Sequence, residues 1–418
     1  MASEPLDLDS LELIDPDYYV NNGYPHDAWT TLRREAPIFW YERNEAMPFW
    51  AVTKQEDICW ISRQPQLFSN NPSIAIMTEP QPPGEEFQPP PTIISMDPPK
   101  HSPYRQLISR RFTPRALLKI QDDIEQIADE IINGLTEGGD EGECDFVEKV
   151  AAPLPIAVIA WLLGVPKEDW DMLFQWTNQT IGSSDPEYRR EGETSVQTSQ
   201  RAMGELYAYF AEMAKERRKN PKDDMITFLA QAKVDGAPMS EVDLLAYYMV
   251  IVVAGNETTR NATTGGMLAF IEHMDEFYKL QRDPELLHPA VEEVVRWVSP
   301  LIHMARTATE DVELGGHKIR SGQQVAMFYP SANRDEEVFE DPFAFRIDRS
   351  PNGHLAFGVG EHYCAGAHVA RLELRVAFRH LARRLEHVEL AGAPERLRSS
   401  LVGGIKKLPI RYKLRPKA

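Results

Sequence analysis

Over most of its length the chain places apolar residues at intervals of three and four. That spacing gathers them on one face of a helix, whereas a half-buried strand would alternate them. Six segments show it, near 115–137, 156–181, 198–219, 240–273, 284–299 and 365–386. Strand-like runs are shorter and cluster as PIFWYE with PFWAVT, DVELGGHKI with QVAMFYP, and HVEL with LPIRYKL. Gly315 and Gly316 suit a tight hairpin turn. The expected fold is mainly α with minor antiparallel β sheets. No Gly, Ser or Pro tract divides the 418 residues, so one domain over 1–418 is expected, with 1–20 as a loosely ordered N-terminal extension. The richest irregular stretch, TEPQPPGEEFQPPP from Thr78 to Pro91, suits a loop over a pocket better than a domain hinge.

A formal charge of −19 repels polynucleotides and anionic membranes at long range, which disfavours nucleic-acid binding. The amino terminus, MASEPLDLDSLELIDPD, is acidic and lacks the basic and apolar regions of a signal peptide. The longest apolar run, Leu244 to Gly255, has twelve residues, too few to span a bilayer. Three scattered cysteines argue against a disulfide scaffold. A cytoplasmic monomer without a membrane span is expected.

Cys364 stands in HLAFGVGEHYCAGAHVAR, behind two glycines and before a third. A dinucleotide fingerprint would need glycine where Tyr363 stands, and a phosphate loop would need Gly-Lys-Ser/Thr. Zinc would want a nearby C-x-x-C, and covalent c-type haem a C-x-x-C-H; neither is present. Cys364 thus sits at the amino end of an amphipathic helix beginning near Ala365, where amides and helix dipole favour thiolate. A thiolate so placed is a candidate iron ligand; a buried inert cysteine in a turn is the other reading of this segment. Phe357, Gly358, Gly360, His362, Cys364 and Gly366 fit F-G-x-G-x-[HR]-x-C-x-G, and here the sequence resembles the cytochrome P450 family. The resemblance extends from the early strand pair to the final hairpin and implies a single prism-shaped domain. It also implies haem b with Cys364 as axial thiolate ligand, Phe357 shielding the sulfur and His362 on a propionate, with O2 as co-substrate.

VIVVAGNETTRNA, Val250 to Ala262, sets Asn256, Glu257, Thr258 and Thr259 inside the most apolar helix. Buried polar groups are costly without partners, and glycine in a helix adds about 1 kcal/mol relative to alanine. Either a helix ends here with Asn256 as a new cap, or the helix is locally opened beside a reaction site. The family resemblance, through A-G-x-[DE]-T, implies the second. Thr258 would then hydrogen-bond bound dioxygen, Glu257 would pass protons in through water, and Ala254 and Gly255 would leave room over the cofactor.

By the same resemblance Glu293 and Arg296, an E-x-x-R on one helix face, lock to Arg349 as a structural trio. His101, Arg105 and Arg306 are implied propionate ligands, arginine being suited to bidentate carboxylate recognition. Ile93, Ile94, Val253, Ala254, Leu301, Ile302, His303 and Val402 are candidate pocket residues. His303 is the polar exception among them, either a donor to a substrate oxygen or a satisfied core histidine.

The resemblance implies a monooxygenase that hydroxylates a hydrophobic small molecule of steroid, terpenoid or lipid type. Its electrons would come from a ferredoxin and an NAD(P)H-dependent ferredoxin reductase. Arg110, Arg111, Arg371 and Arg375 are candidates for the docking patch, while Glu361 adds a negative charge within the cysteine loop. A peroxide-driven peroxygenase and a non-enzymatic haem sensor are the alternatives. The former usually lacks the acid–alcohol pair, and the latter should carry a signalling appendage that is not visible here.

Overall fold

The computed structural model describes residues 7–43, 47–76, 90–109, 111–118, 120–135 and 139–416. Most of the Thr78–Pro91 segment lies outside them. The central element is a 32-residue helix, Glu241–Glu272, about 48 Å long at 1.5 Å per residue. Ser240 caps it by accepting the Asp243 backbone N–H, at 3.1 Å. Its first half packs with Pro153–Leu163, Trp170–Ile181 and Ser195–Lys219 in one apolar core. Its second half packs with Leu287–Val298 and Ala367–Arg384 in another. One helix therefore joins both cores and is buried nearly all round, which explains its weak amphipathicity.

The chain forms neither a helix end nor an opened helix at Asn256–Thr259; the helix runs through unbroken. Gly255 is explained by packing, since a Cβ there would come within 2.6 Å of Ile159 Cδ1. The apolar stretch 156–181 is two helices. Gly164 ends the first at φ +77°, and Pro166 follows, so a left-handed cap and a residue without an N–H end the helix between them.

Five short strands form the main sheet, in the order Ile38–Tyr41, Phe49–Val52, Gln324–Phe328, His303–Ala308 and Phe68–Ser69. All neighbours are antiparallel except Gln324–Phe328 with Phe49–Val52, which run parallel. QVAMF thus joins the early strand pair, and DVELGGHKI folds on itself as a hairpin, with Gly315 and Gly316 both at positive φ. HVEL and LPIRYKL pair as Leu385–Leu390 with Pro409–Leu414, and Glu141–Asp145 adds a third strand. The expected looseness of 1–20 does not extend to its described part: Leu11, Leu13, Ile14 and Tyr19 are buried, and Tyr19 donates to the Leu13 carbonyl. Among the described residues no helix is long and apolar enough to cross a membrane.

Candidate functional site

The cysteine loop is held by its own backbone. The Cys364 N–H donates to the Phe357 carbonyl at 2.8 Å, and Gly358 and Gly360 turn at φ +71° and +78°. At Gly360 a Cβ would also strike the Ser62 carbonyl oxygen at 2.4 Å, so glycine is required twice over. A Cβ on Gly366 would meet nothing, leaving the space beside the cysteine open. Cys364 itself opens into a cavity between the long helix, the loop and the helix Ala367–Arg384. Burial pushes its thiol up; the Gly366 and Ala367 amides and the charges of Arg105 and Arg371 pull the other way.

Around that cavity the structure gathers Arg105, Arg306, Phe357, Gly358, His362 and Gly366 with Ala254 and Thr258 of the long helix. Ile93, Ile94 and Leu301 line it as well. His101 is buried beside it, its ring 4.2 Å from that of His362 and its Nε2 without a partner among the described residues. Thr258 donates its hydroxyl proton to the Ala254 carbonyl at 2.8 Å, one turn back.

Besides His101, which lies beside it, five candidates do not line this cavity. Glu257 is buried on another side of the long helix, ion-paired to Arg260. The reason is rotation: a residue adjacent to Thr258 is turned about 100° from it. Val253, likewise one position from Ala254, is packed into the core. Ile302 lies in the core beneath the main sheet, its N–H donating to the Leu401 carbonyl at 2.9 Å. Val402 pairs with Leu301 as an isolated bridge, its side chain buried. His303 is a satisfied core histidine: Nε2 accepts the Ile76 N–H at 3.1 Å, and Nδ1 faces the Ser400 carbonyl at 3.1 Å. Burial lowers its pKa to about 4, so it stays neutral at neutral pH. His303→Phe is expected to leave ligand affinity within twofold, read by optical titration; a large loss would return His303 to the cavity.

Strand parity could have settled this in advance. Arg306 lines the cavity, so by the period of two Met304 shares its face and His303 does not. Met304 was missed, as were Val250 and Ile251, which lie four and three residues before Ala254. Glu373 was missed too. Its carboxyl is fully buried, lines the cavity wall, has one oxygen without a partner, and is pushed well above the carboxylate range by burial. Only an acid on a buried helix face hinted at it.

Glu293, Arg296 and Arg349 meet beneath the loop. Glu293 accepts from Arg296 at 2.7 and 2.8 Å, from Arg349 Nε at 3.1 Å and from the Arg346 N–H at 2.9 Å. Arg296 donates onward to the carbonyls of Asn333, Pro342 and Ala344. The surface patch is thinner than its composition suggested. Arg371 turns inward to Glu292 at 2.7 Å, donates to the Tyr363 hydroxyl and covers the Phe357 ring at 4.3 Å. Arg371 and His354 draw Glu292 down to about 2, against burial, the largest single influence. Arg111 stacks on Phe228 at 4.3 Å, Arg375 is half-buried, and Arg110 lies outside the described residues. Glu361 is exposed.

The residues fit haem. Arg105 and Arg306 project into the cavity, yet neither has a carboxylate partner among the described residues; they donate only to the Tyr363 and Ala305 carbonyls. Half-buried and buried guanidiniums without counter-charges are costly, so a ligand bearing carboxylates is called for. Among the described residues no three His, Cys, Asp or Glu side chains gather as a metal site. Cys364 is the residue of this cavity that would hold the metal of such a group.

The cytochrome P450 family model matches residues 79–414. A methyl-branched lipid omega-hydroxylase of Mycobacterium tuberculosis is 38% identical over 97% of this chain and 94% of its own. A steroid C26-monooxygenase of the same species is 40% identical, over 96% and 92%. A Mycobacterium marinum cytochrome P450 solved in complex with pseudoionone superposes with a TM-score of 0.88 at 32% identity, covering 98% of this chain and 100% of that one. A Bacillus megaterium protein solved with corticosterone gives 0.80 at 32% identity, over 94% and 99%. With its length matched, its fold shared and its lone cavity-facing cysteine in the family's loop, this chain belongs to the cytochrome P450 family of monooxygenases.

Proposed function

We propose that this protein hydroxylates an unactivated carbon of a steroid, terpenoid or lipid-like molecule, using O2 and two electrons. The observation that carries this reading is the cavity itself. Cys364, with Arg105 and Arg306, which have no carboxylate partner among the described residues, bounds one part of it, and Ile93, Ile94, Val250, Leu301 and Met304 bound another. Such walls hold an apolar substrate by the area they remove from water. The lipid and steroid activities named for the two mycobacterial relatives support the same substrate class.

In this reading Arg105, Arg306, His101 and His362 would hold the propionates of haem, and Cys364 would hold its iron. Bound there, haem supplies the oxygen-activating chemistry, and thiolate donation favours oxygen–oxygen cleavage. Thr258 Oγ1 sits on the cavity wall, where it holds a proton at the reacting end. Glu257, adjacent in sequence, restores that proton from the protein's interior. Ile93, Ile94 and Leu301 exclude water and orient the carbon to be attacked. Electrons come from a ferredoxin reduced by an NAD(P)H-dependent reductase; a rate that falls with added salt is expected of such docking.

Titrating the ferric protein with steroids, terpenoids and fatty acids tests the substrate class. A Soret shift and a hydroxylated product with one of them are expected; none with any would overturn it. Thr258→Ala is expected to lower product per electron pair severalfold. Glu257→Gln is expected to slow turnover about 100-fold with affinity retained. Unchanged coupling or rate would remove these two roles.

A further inference from the structure

One carboxylate ties the end of the strand Phe68–Ser69 to the start of the helix His101–Ser109. Asp97 Oδ1 accepts the Asn70 backbone N–H and the Asn70 side-chain Nδ2, each at 2.9 Å. Its Oδ2 accepts the Ser69 hydroxyl and, at 3.1 Å, Asn71 Nδ2. The Asp97 carbonyl accepts the His101 N–H at 3.0 Å, so the same residue begins the helix that carries His101 and Arg105. Burial is the largest influence on this carboxyl and raises its pKa, yet its four donors together hold it below the usual carboxylate range. Asp97 is therefore ionised at neutral pH and can only accept.

Asn70 is 1% exposed, and its Nδ2 also stands 2.9 Å from His362 Nε2. A half turn exchanges the nitrogen and oxygen of an amide, but only one arrangement suits this site. Turned over, the amide would set its oxygen against the Asp97 carboxylate, acceptor against acceptor. Asn70 Oδ1 has no partner among the described residues, so no contact on the oxygen's side competes with Asp97. With Nδ2 donating, His362 Nε2 must accept, and an imidazole that accepts at Nε2 carries its one proton at Nδ1. His362 lines the cysteine's cavity, and its Nδ1 makes no hydrogen bond among the described residues.

We propose that Asp97 and Asn70 are positioning residues that fix His362 as its Nδ1–H tautomer, leaving Nδ1 as a donor for a haem carboxylate; this rests on the haem reading above. Asp97 sets the amide of Asn70, and the amide sets the proton of His362. Without that relay the ring could present a lone pair to a carboxylate, and two acceptors in contact hold nothing. No proton or electron has to move along the relay; it acts by orientation alone.

The test uses the haem-loaded protein as its reduced carbon monoxide adduct, which is diamagnetic, with isotope-labelled histidines. Nitrogen–hydrogen correlation spectra of the wild type should show His362 protonated at Nδ1 and bare at Nε2; the reverse would overturn the proposal outright. The His362 signals are those lost in His362→Arg, a substitution that the family's own signature admits. Haem transfer to apomyoglobin gives a second readout. Asn70→Leu, which keeps the size and removes the amide, is expected to speed haem loss about fivefold. Asp97→Asn, which frees the amide to turn, should add signals of the other His362 tautomer. In the His362→Arg background Asn70→Leu is expected to change haem loss by less than about twofold, since a guanidinium donates whatever stands beside it. An equal loss in both backgrounds would show a merely structural role and overturn the proposal. Should Asn70→Leu not fold, the wild-type tautomer and its mixing in Asp97→Asn decide. A protein that takes up no haem would overturn the haem reading and this proposal with it. A thiolate-type adduct with His362 protonated at Nε2 would overturn this proposal alone.

Discussion

Cys364→Ser should abolish hydroxylation and remove the thiolate signature from the spectrum of the reduced carbon monoxide adduct. The chain has three cysteines, and only this one lines the cavity. Cys59 and Cys144 are half-buried elsewhere and do not line it. At Cys364 the amides of Gly366 and Ala367 face the sulfur, and Arg105 and Arg371 add positive charge. Serine keeps the loop's backbone bonds and replaces one atom open to the cavity, so stability without haem should change by no more than about 0.5 kcal/mol. Loss of activity with the fold intact is the expected pattern, read by carbon monoxide difference spectroscopy, product analysis and denaturant unfolding. A serine variant that kept both the signature and the product would end the assignment of Cys364 as ligand.

The largest expected effect on stability is at Arg296. Arg296 and Glu293 are both 0% exposed. Truncating one partner of such a pair strands a buried charge, at a cost of about 3–5 kcal/mol, a large part of the 5–15 kcal/mol that typically holds a domain together. Arg296→Ala also takes the side-chain donor from the backbone carbonyls of Asn333 and Pro342, whereas that of Ala344 keeps Arg349 at 2.8 Å. Arg296→Lys is expected to recover little, because an ammonium cannot reproduce the fork that meets Glu293 at two oxygens. Acid should act on the same network. Burial is the largest influence on Glu293 and raises its pKa, yet Arg296, the Arg346 amide and Arg349 together hold it below the usual carboxylate range. Its stabilisation is therefore fully present above that range and fades as pH falls through the lowered folded value. Denaturant unfolding of wild type and Arg296→Ala at neutral and acid pH should show a wide gap that narrows on acidification. Equal midpoints at neutral pH would show the trio to be dispensable.

The cysteine loop was legible because its constraints are local. Positive φ at Gly358 and Gly360 and a sulfur at a helix start are written within ten consecutive residues, 357–366. The helices were legible from spacing, and their split at Gly164–Pro166 was signalled by residues that break helices anywhere. Pocket membership was harder. His303 and Met304 are both plausible neighbours of an apolar ligand, and what separates them is alternation along the strand counted from Arg306, once that residue is placed in the cavity. Glu257 shows the same limit. Its chemistry was visible, but its direction was decided by which face of a doubly buried helix meets Arg260 and Asn178.

Sequence alone thus determined the mainly helical class, the loop that presents Cys364 and the family to which the chain belongs, because these rest on residues close together in the chain. Tertiary structure decided which side chains share the cysteine's cavity, that Arg371 turns inward to Glu292, and that Arg105 and Arg306 face the cavity without carboxylate partners among the described residues. Those facts depend on how distant segments rotate and pack against one another, and no local pattern of residues specifies that rotation.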